Sequence, residues 1–93
     1  MSSDLTLELF VAGAPVQSAL TRERINALLD RMPTIRYRLD VIDVLESPQL
    51  ADLAHILVTP TLVIRAGDSE RRLVGDLSDL TRLQLLITEA EPG

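Results

Sequence analysis

Leu5 to Val11 is a mostly continuous apolar run with Glu8 at its centre, and it stops at the turn Ala12-Gly-Ala-Pro15. A short run of this kind, closed by Gly and Pro, reads as an interior or near-interior strand. Val16, Ala19, Leu20, Ile25, Leu28, Leu29 and Met32 then recur at spacings of three to five residues, predicting an amphipathic helix stopped by Pro33. A second apolar-centred run, Tyr37 to Leu45, follows. Strand, helix and strand in this order make a crossover unit, so the first two strands are expected to pair in parallel.

The rest of the chain continues the alternation. Ser47-Pro48 reads as a helix start, with Ser able to cap and Pro suited to the first helical position. Leu50, Leu53, Ala54 and Leu57 give this short helix one apolar face. Thr61 to Arg65 and Arg71 to Val74 are expected as two short strands around the polar loop Ala66-Gly-Asp-Ser-Glu70. Ser78 or Asp76 can cap a last helix that buries Leu80, Leu83, Leu86, Ile87 and Ala90. Met1 to Asp4 and Ala90 to Gly93 read as short frayed tails. The order is β-α-β-α-β-β-α: an α/β domain with a mixed four-stranded sheet and three helices, spanning residues 1–93 as one unit. This arrangement resembles the thioredoxin-like fold, whose first turn would hold reactive cysteines and whose later turn would carry a Pro such as Pro60 opposite them.

Here the cysteine count is zero. The scaffold without its thiols reads as a binding module. Other chemistries go the same way. With no Lys there is no phosphate-loop lysine and no Schiff base. His55 is the single His, too few for a metal site, and no Gly-x-Ser-x-Gly elbow is present. A net charge of −5 and two aromatic residues argue against a nucleic-acid partner. No apolar run approaches the ~20 residues of a membrane span. A cytoplasmic, non-catalytic protein without cofactor or metal is expected, monomeric or weakly self-associating, since Leu-rich helix faces are usually core.

Individual residues support that reading. Thr59-Pro60 stands just before a strand and after the second helix, where a cis bond is expected despite a base rate of about one in twenty. Asp40 and Asp43, three apart on a strand, fall on opposite faces and cannot share an acid/base site. Asp43 is expected to accept hydrogen bonds from a neighbouring turn, and His55 to be a surface or helix-end residue. Gly13, Gly75 and Asp76 read as turn positions. The nine basic residues are all Arg, with Arg22, Arg24, Arg36, Arg38 and Arg71-Arg72 expected to form solvated local ion pairs.

Five blocks, taken together, are more specific. Phe10-Val-Ala-Gly13, Val41-Ile-Asp-Val44, Pro48-Gln-Leu-Ala51, Ile56-Leu57 with Thr59-Pro-Thr-Leu62, and Arg71-Arg72 with Gly75-Asp-Leu-Ser78 resemble the KaiB family at matching spacing. The resemblance runs from residue 5 to about residue 90. It implies a bacterial clock or stress-response component that binds a KaiC-type ring ATPase, competes there with the KaiB-like sensor domain of the histidine kinase SasA, and sequesters a KaiA-like protein. It further implies a partner surface on the second helix and its exit: Gln49, Leu50, Leu53, Ala54, His55, Ile56 and Pro60. The edge along Arg36, Arg38 and Asp40 matches where the family adds a partner strand. A sensor module of a histidine-kinase pathway is the alternative.

KaiB proteins also switch fold, between a tetrameric ground state and a monomeric thioredoxin-like state that binds the ATPase. Two departures bear on this. A plain loop, Ala66 to Glu70, replaces the family's proline-rich stretch, and Leu86 and Thr88 stand where the family has Gly and Asp. Leu for a mid-helix Gly favours the helix by ~1 kcal/mol. Rest in the thioredoxin-like form is therefore expected.

Overall fold

The computed structural model describes residues 3–75 and 80–90. Its elements are β1 (Ser3–Val11), α1 (Pro15–Asp30), β2 (Ile35–Asp43), α2 (Pro48–Leu53), β3 (Thr61–Ala66), β4 (Ser69–Val74) and α3 (Leu80–Ala90). The strands form one sheet in the order β2-β1-β3-β4. β1 and β2 are parallel, with Leu7 opposite Leu39, whereas β3 runs antiparallel to both β1 and β4. Both the βαβ unit and the terminal hairpin are as the apolar pattern predicts.

Alternation along the strands sorts the side chains into two layers. Leu5, Leu7 and Leu9 of β1 join Leu62, Ile64, Ala66 and Leu73 on one face, which Ile25, Leu28 and Leu29 of α1 and Leu83 and Ile87 of α3 cover. Leu86 packs partly against this cluster. The Leu80 and Ala90 side chains lie outside the described residues. On the opposite face Phe10 and Val63 are buried with Ala54, flanked by the half-buried Ile42, Val44 and Ile56. α2 is thus the helix that defines the second layer, and it covers one end of it.

Several boundaries differ from the sequence expectation, each for a local reason. β2 begins and ends two residues earlier than Tyr37 to Leu45. Ile35 pairs with Ser3, which also makes Ser3 and Asp4 strand rather than tail. At the other end the Asp43 carboxylate accepts from the Gly13 and Leu45 amides at 3.2 and 3.0 Å, and its carbonyl accepts from the Glu46 and Ser47 amides. These bonds fold the chain into a turn. The expected loop of Ala66 to Glu70 is shorter: Ala66 pairs with Ser69 and Arg65 with Glu70, leaving Gly67-Asp68 as a two-residue connection. Gly67, at φ +57°, supplies the left-handed position such a tight hairpin needs. Ser47 stands at the N-cap of α2 but makes no side-chain capping bond. α1 ends at Asp30, with Arg31 as C-cap, before Pro33 is reached.

The largest correction concerns α1. Ile25, Leu28 and Leu29 are buried, but Val16 is 82% exposed, and Ala19 and Leu20 are exposed too. The apolar stripe therefore touches the sheet only in its second half. The first two turns stand across an open cleft from the end of β1 and Pro60.

The single tyrosine joins α1 to β2. Its hydroxyl reaches Asn26 Oδ1 and Asp30 Oδ1, each at 3.0 Å. Burial, the bond to Asp30 and the Asp30 charge all hold its pKa above the usual value. Because the folded pKa is raised, this contribution to stability is complete below the ordinary tyrosine pKa and fades as pH rises through the folded value. With no Trp in the chain, phenolate absorbance reads this one residue. Titration should show a higher pKa folded than in denaturant, and Asp30→Asn should bring the folded value down.

Candidate functional site

α2 has six residues, too few to be helical alone, so its surroundings hold it in place. Ala51 and the C-cap Ala54 are its buried side chains, and Ala54 packs with Phe10 and Val63, the fully buried side chains of the sheet beneath. The helix ends in a Schellman motif: the Ile56 amide donates to Ala51 O at 2.9 Å and the His55 amide to Asp52 O at 3.2 Å. His55 occupies the left-handed position of this motif with φ +56°, where Gly is the usual residue. It is the helix-end His that its lone position in the sequence suggests.

Small residues inside turn the large ones outward. Leu50 is 44% exposed, Leu53 77% and Leu57 93%, with Leu45 71% exposed at the helix entrance and Val58 exposed at its exit. The apolar face expected from Leu50, Leu53, Ala54 and Leu57 is therefore divided: Ala54 packs inward and the leucines face solvent. Gln49 and His55 are exposed and Ile56 and Pro60 half-buried, so of the residues expected there Gln49, Leu50, Leu53 and His55 form the surface at the α2 end of the molecule, while Ala54 lies beneath it. Contiguous exposed apolar residues of this kind, bordered by polar ones, mark interaction surfaces more often than isolated apolar residues do.

Arg36, Arg38 and Asp40 fall on the same face of β2 as the half-buried Ile42, the face that carries Phe10, Val63 and Ala54. β2 is an edge strand, so its outer backbone groups are unpaired within the sheet. Arg36 pairs with Asp4 at 3.5 Å and Arg38 with Asp40 at 3.1 Å, both well exposed and of little energetic weight.

The turns carry the conformations expected of them. Thr59-Pro60 is cis, Gly13 and Gly75 have φ of +68° and +92°, and the Gly75 amide donates to Pro60 O at 2.9 Å. Asp76 and Ser78 lie outside the described residues. Between the β1–α1 turn, the first turns of α1 and Pro60 lies a cleft of about 550 Å³, lined among others by Gly13, Gln17, Thr21, Arg24 and Thr59. It occupies the position where a thioredoxin-like fold would present its thiols. Among the described residues the lining offers amide, hydroxyl and guanidinium groups and no carboxylate, imidazole or thiol.

One polar network went unread in the sequence. Arg72 on β4 donates from Nη2 to Ala54 O at 2.6 Å and from Nη1 to His55 O at 3.4 Å. Its Nε meets Glu70 Oε2 at 3.1 Å, Glu70 Oε1 meets Arg65 Nε at 3.3 Å, and Arg65 Nη1 pairs with Glu8 on β1. The bond from Arg72 is the main reason the Glu70 carboxyl titrates below its usual range; burial opposes it, and the charges of Arg72 and Arg65 with the Arg65 bond add to the lowering. A depressed carboxylate pKa means the contribution holds above the unfolded value and is lost as pH falls through the folded one. The sequence clue was Glu8, a lone charge inside an apolar strand.

His55→Gly tests the helix-end geometry. A left-handed non-Gly residue carries a strain of ~1–2 kcal/mol, against which Gly adds ~0.4–1 kcal/mol of unfolded-chain entropy. Thermal melting should rise by a few degrees.

With the fold and this surface in view, comparison with known structures defines the class. The SasA N-terminal domain of Synechococcus elongatus superposes with a TM-score of 0.73 at 32% identity, covering 100% of this chain and 90% of that one. Mitochondrial thioredoxin 3 of Saccharomyces cerevisiae, at 22% identity and TM-score 0.69, shares the fold alone over 94% of this chain and 79% of its own. The molecule is thus a thioredoxin-like domain, and its sequence carries no cysteine. The KaiB domain profile matches residues 8–89, and the circadian clock oscillator proteins KaiB of Acaryochloris marina and Nostoc punctiforme are each 41% identical over 91 residues, 94% of this chain and 88% of theirs. The chain belongs to the KaiB family. Among the described residues no helix is long and apolar enough to cross a membrane.

Proposed function

We propose that this protein is a KaiB-like adaptor that acts by binding a KaiC-type ring ATPase through the α2 surface, in the cytoplasm and without catalysis. The observation that carries this is the outward set of Leu50 and Leu53 on a helix anchored by Ala51 and the C-cap Ala54, with Leu57 exposed in the segment that leaves it. Large aliphatic side chains held in solvent by a structured helix have their natural use in a protein partner. The unpaired edge of β2 along Arg36, Arg38 and Asp40 offers a second point of attachment, by strand addition, for a KaiA-like protein. The domain spans residues 1–93 as one unit and rests in the thioredoxin-like state, as a monomer or weak oligomer.

Sedimentation velocity of a purified KaiC-type ring ATPase with this protein tests the adaptor reading. A stoichiometric complex is expected; free sedimentation of both components overturns it. Backbone secondary shifts test the resting state: helical values across residues 80–89 are expected, and strand values there would contradict it.

A second reading rests on the likeness to the SasA N-terminal domain. A sensor or interaction module of a histidine-kinase pathway would use the same surface, and binding to a kinase in place of the ring ATPase would favour it.

A further inference from the structure

The geometry points to Arg72 as the positioning residue of the α2 surface: its guanidinium, aimed by Glu70, holds the last turn of α2 and so fixes how Leu53 and Leu57 are presented. This rests on the reading of those leucines as the partner face. α2 has little of its own to hold it in place. Its inward contacts come from two alanines, which bury little area, and its length gives it no stability of its own. The last carbonyls of any helix need partners and carry partial negative charge. Arg72 answers both needs at the C-cap with one group, placing one N–H donor on the Ala54 carbonyl and a second on that of His55 just beyond it, 18 and 17 residues away in sequence.

The fork must be aimed to do this. Glu70 sits two residues earlier on the same face of β4 and takes the third donor, Nε. Arg65, its neighbour across the hairpin, holds the other Glu70 oxygen and in turn pairs with Glu8 on the central strand. Charges therefore alternate from β1 through β3 and β4 to the end of α2. Each pair alone would weigh little at a surface, but all four side chains are at most about two-fifths exposed, and they share partners. The network ties the hairpin to the partner face, and a disturbance of the hairpin would reach Leu53 and Leu57 through Arg72.

Amide hydrogen exchange at His55 and Ile56 in the free protein reads the positioning directly. Arg72→Met should speed exchange there by roughly tenfold or more, since a charge-assisted bond to the helix end is lost. It should also weaken binding of the ring ATPase by a similar factor. Arg72→Lys, which keeps the charge but not the fork, should recover part of both, and Arg31→Met at the far end of α1 should change neither. Should Arg72→Met fail to fold, Glu70→Gln gives the same pattern in milder form. Unchanged exchange overturns the proposal, and weakened binding with unchanged exchange does so too, because Arg72 would then be a contact. Leu53→Arg separates the two readings: binding should fall while exchange stays as in the parent. If the parent binds no ring ATPase yet Arg72→Met speeds exchange, the positioning stands and the adaptor reading fails.

Discussion

Leu53→Arg combined with Leu57→Arg is expected to reduce affinity for a KaiC-type ring ATPase by roughly 30-fold or more while leaving the melting temperature unchanged. The stability half follows from exposure. Both side chains are already mostly in solvent, so exchanging them removes almost no buried area from the fold. The affinity half follows from what an interface would do with them. Truncating one well-packed anchor costs ~2 kcal/mol or more, and each ~1.4 kcal/mol is tenfold in affinity. An arginine placed there also brings a charge into a surface that binding would desolvate. Calorimetric titration beside thermal melting measures both halves. Equal affinity for the variant and the parent would remove α2 from the interface.

The same residue type on β1 is expected to behave in the opposite way. Leu7 is fully buried on the central strand of the sheet, packed with residues of α1, β3 and α3. Leu7→Ala should cost about 2–5 kcal/mol, the range for truncating a buried leucine that leaves a cavity. A domain of this size has ~5–15 kcal/mol in total, and each kcal/mol moves its melting temperature by about 4–8 °C. The variant should melt at least about 8 °C lower by this scaling, or not fold at 37 °C. A small change would mean that the core does not centre on β1.

The contrast between these leucines shows how far the sequence could be read. Element order, the parallel first pair and the hydrogen bonding of Asp43 follow from short-range patterns, because apolar spacing and turn chemistry act locally; the cis bond at Pro60 is expected from its place in the topology, against the local base rate. Which side of a helix meets the sheet is not local. Leu50, Leu53 and Leu57 look like core by type and spacing, and only the packing of Ala51 and Ala54 beneath them shows that they face out. Val16 and Leu20 follow the same logic on α1, where periodicity continues past the end of the contact. Arg72 is expected only in local ion pairs, and its pair with Glu70 is one; its other partners, the carbonyls of Ala54 and His55, could not be read because they are main-chain groups far away in sequence. Leu50 and Leu53 were reached by resemblance to a family before the structure supplied their physical reason, whereas Leu57 entered only with its exposure.

A single bait experiment addresses the central claim. The protein would be immobilised and exposed to a lysate of its source organism, with a Leu53→Arg, His55→Glu variant beside it, and retained proteins identified by mass spectrometry. Retention of a KaiC-type ring ATPase by the parent and not by the variant is the predicted result. Retention of a histidine kinase or response regulator without any such ATPase would contradict it, leaving the KaiB fold in service of a different partner.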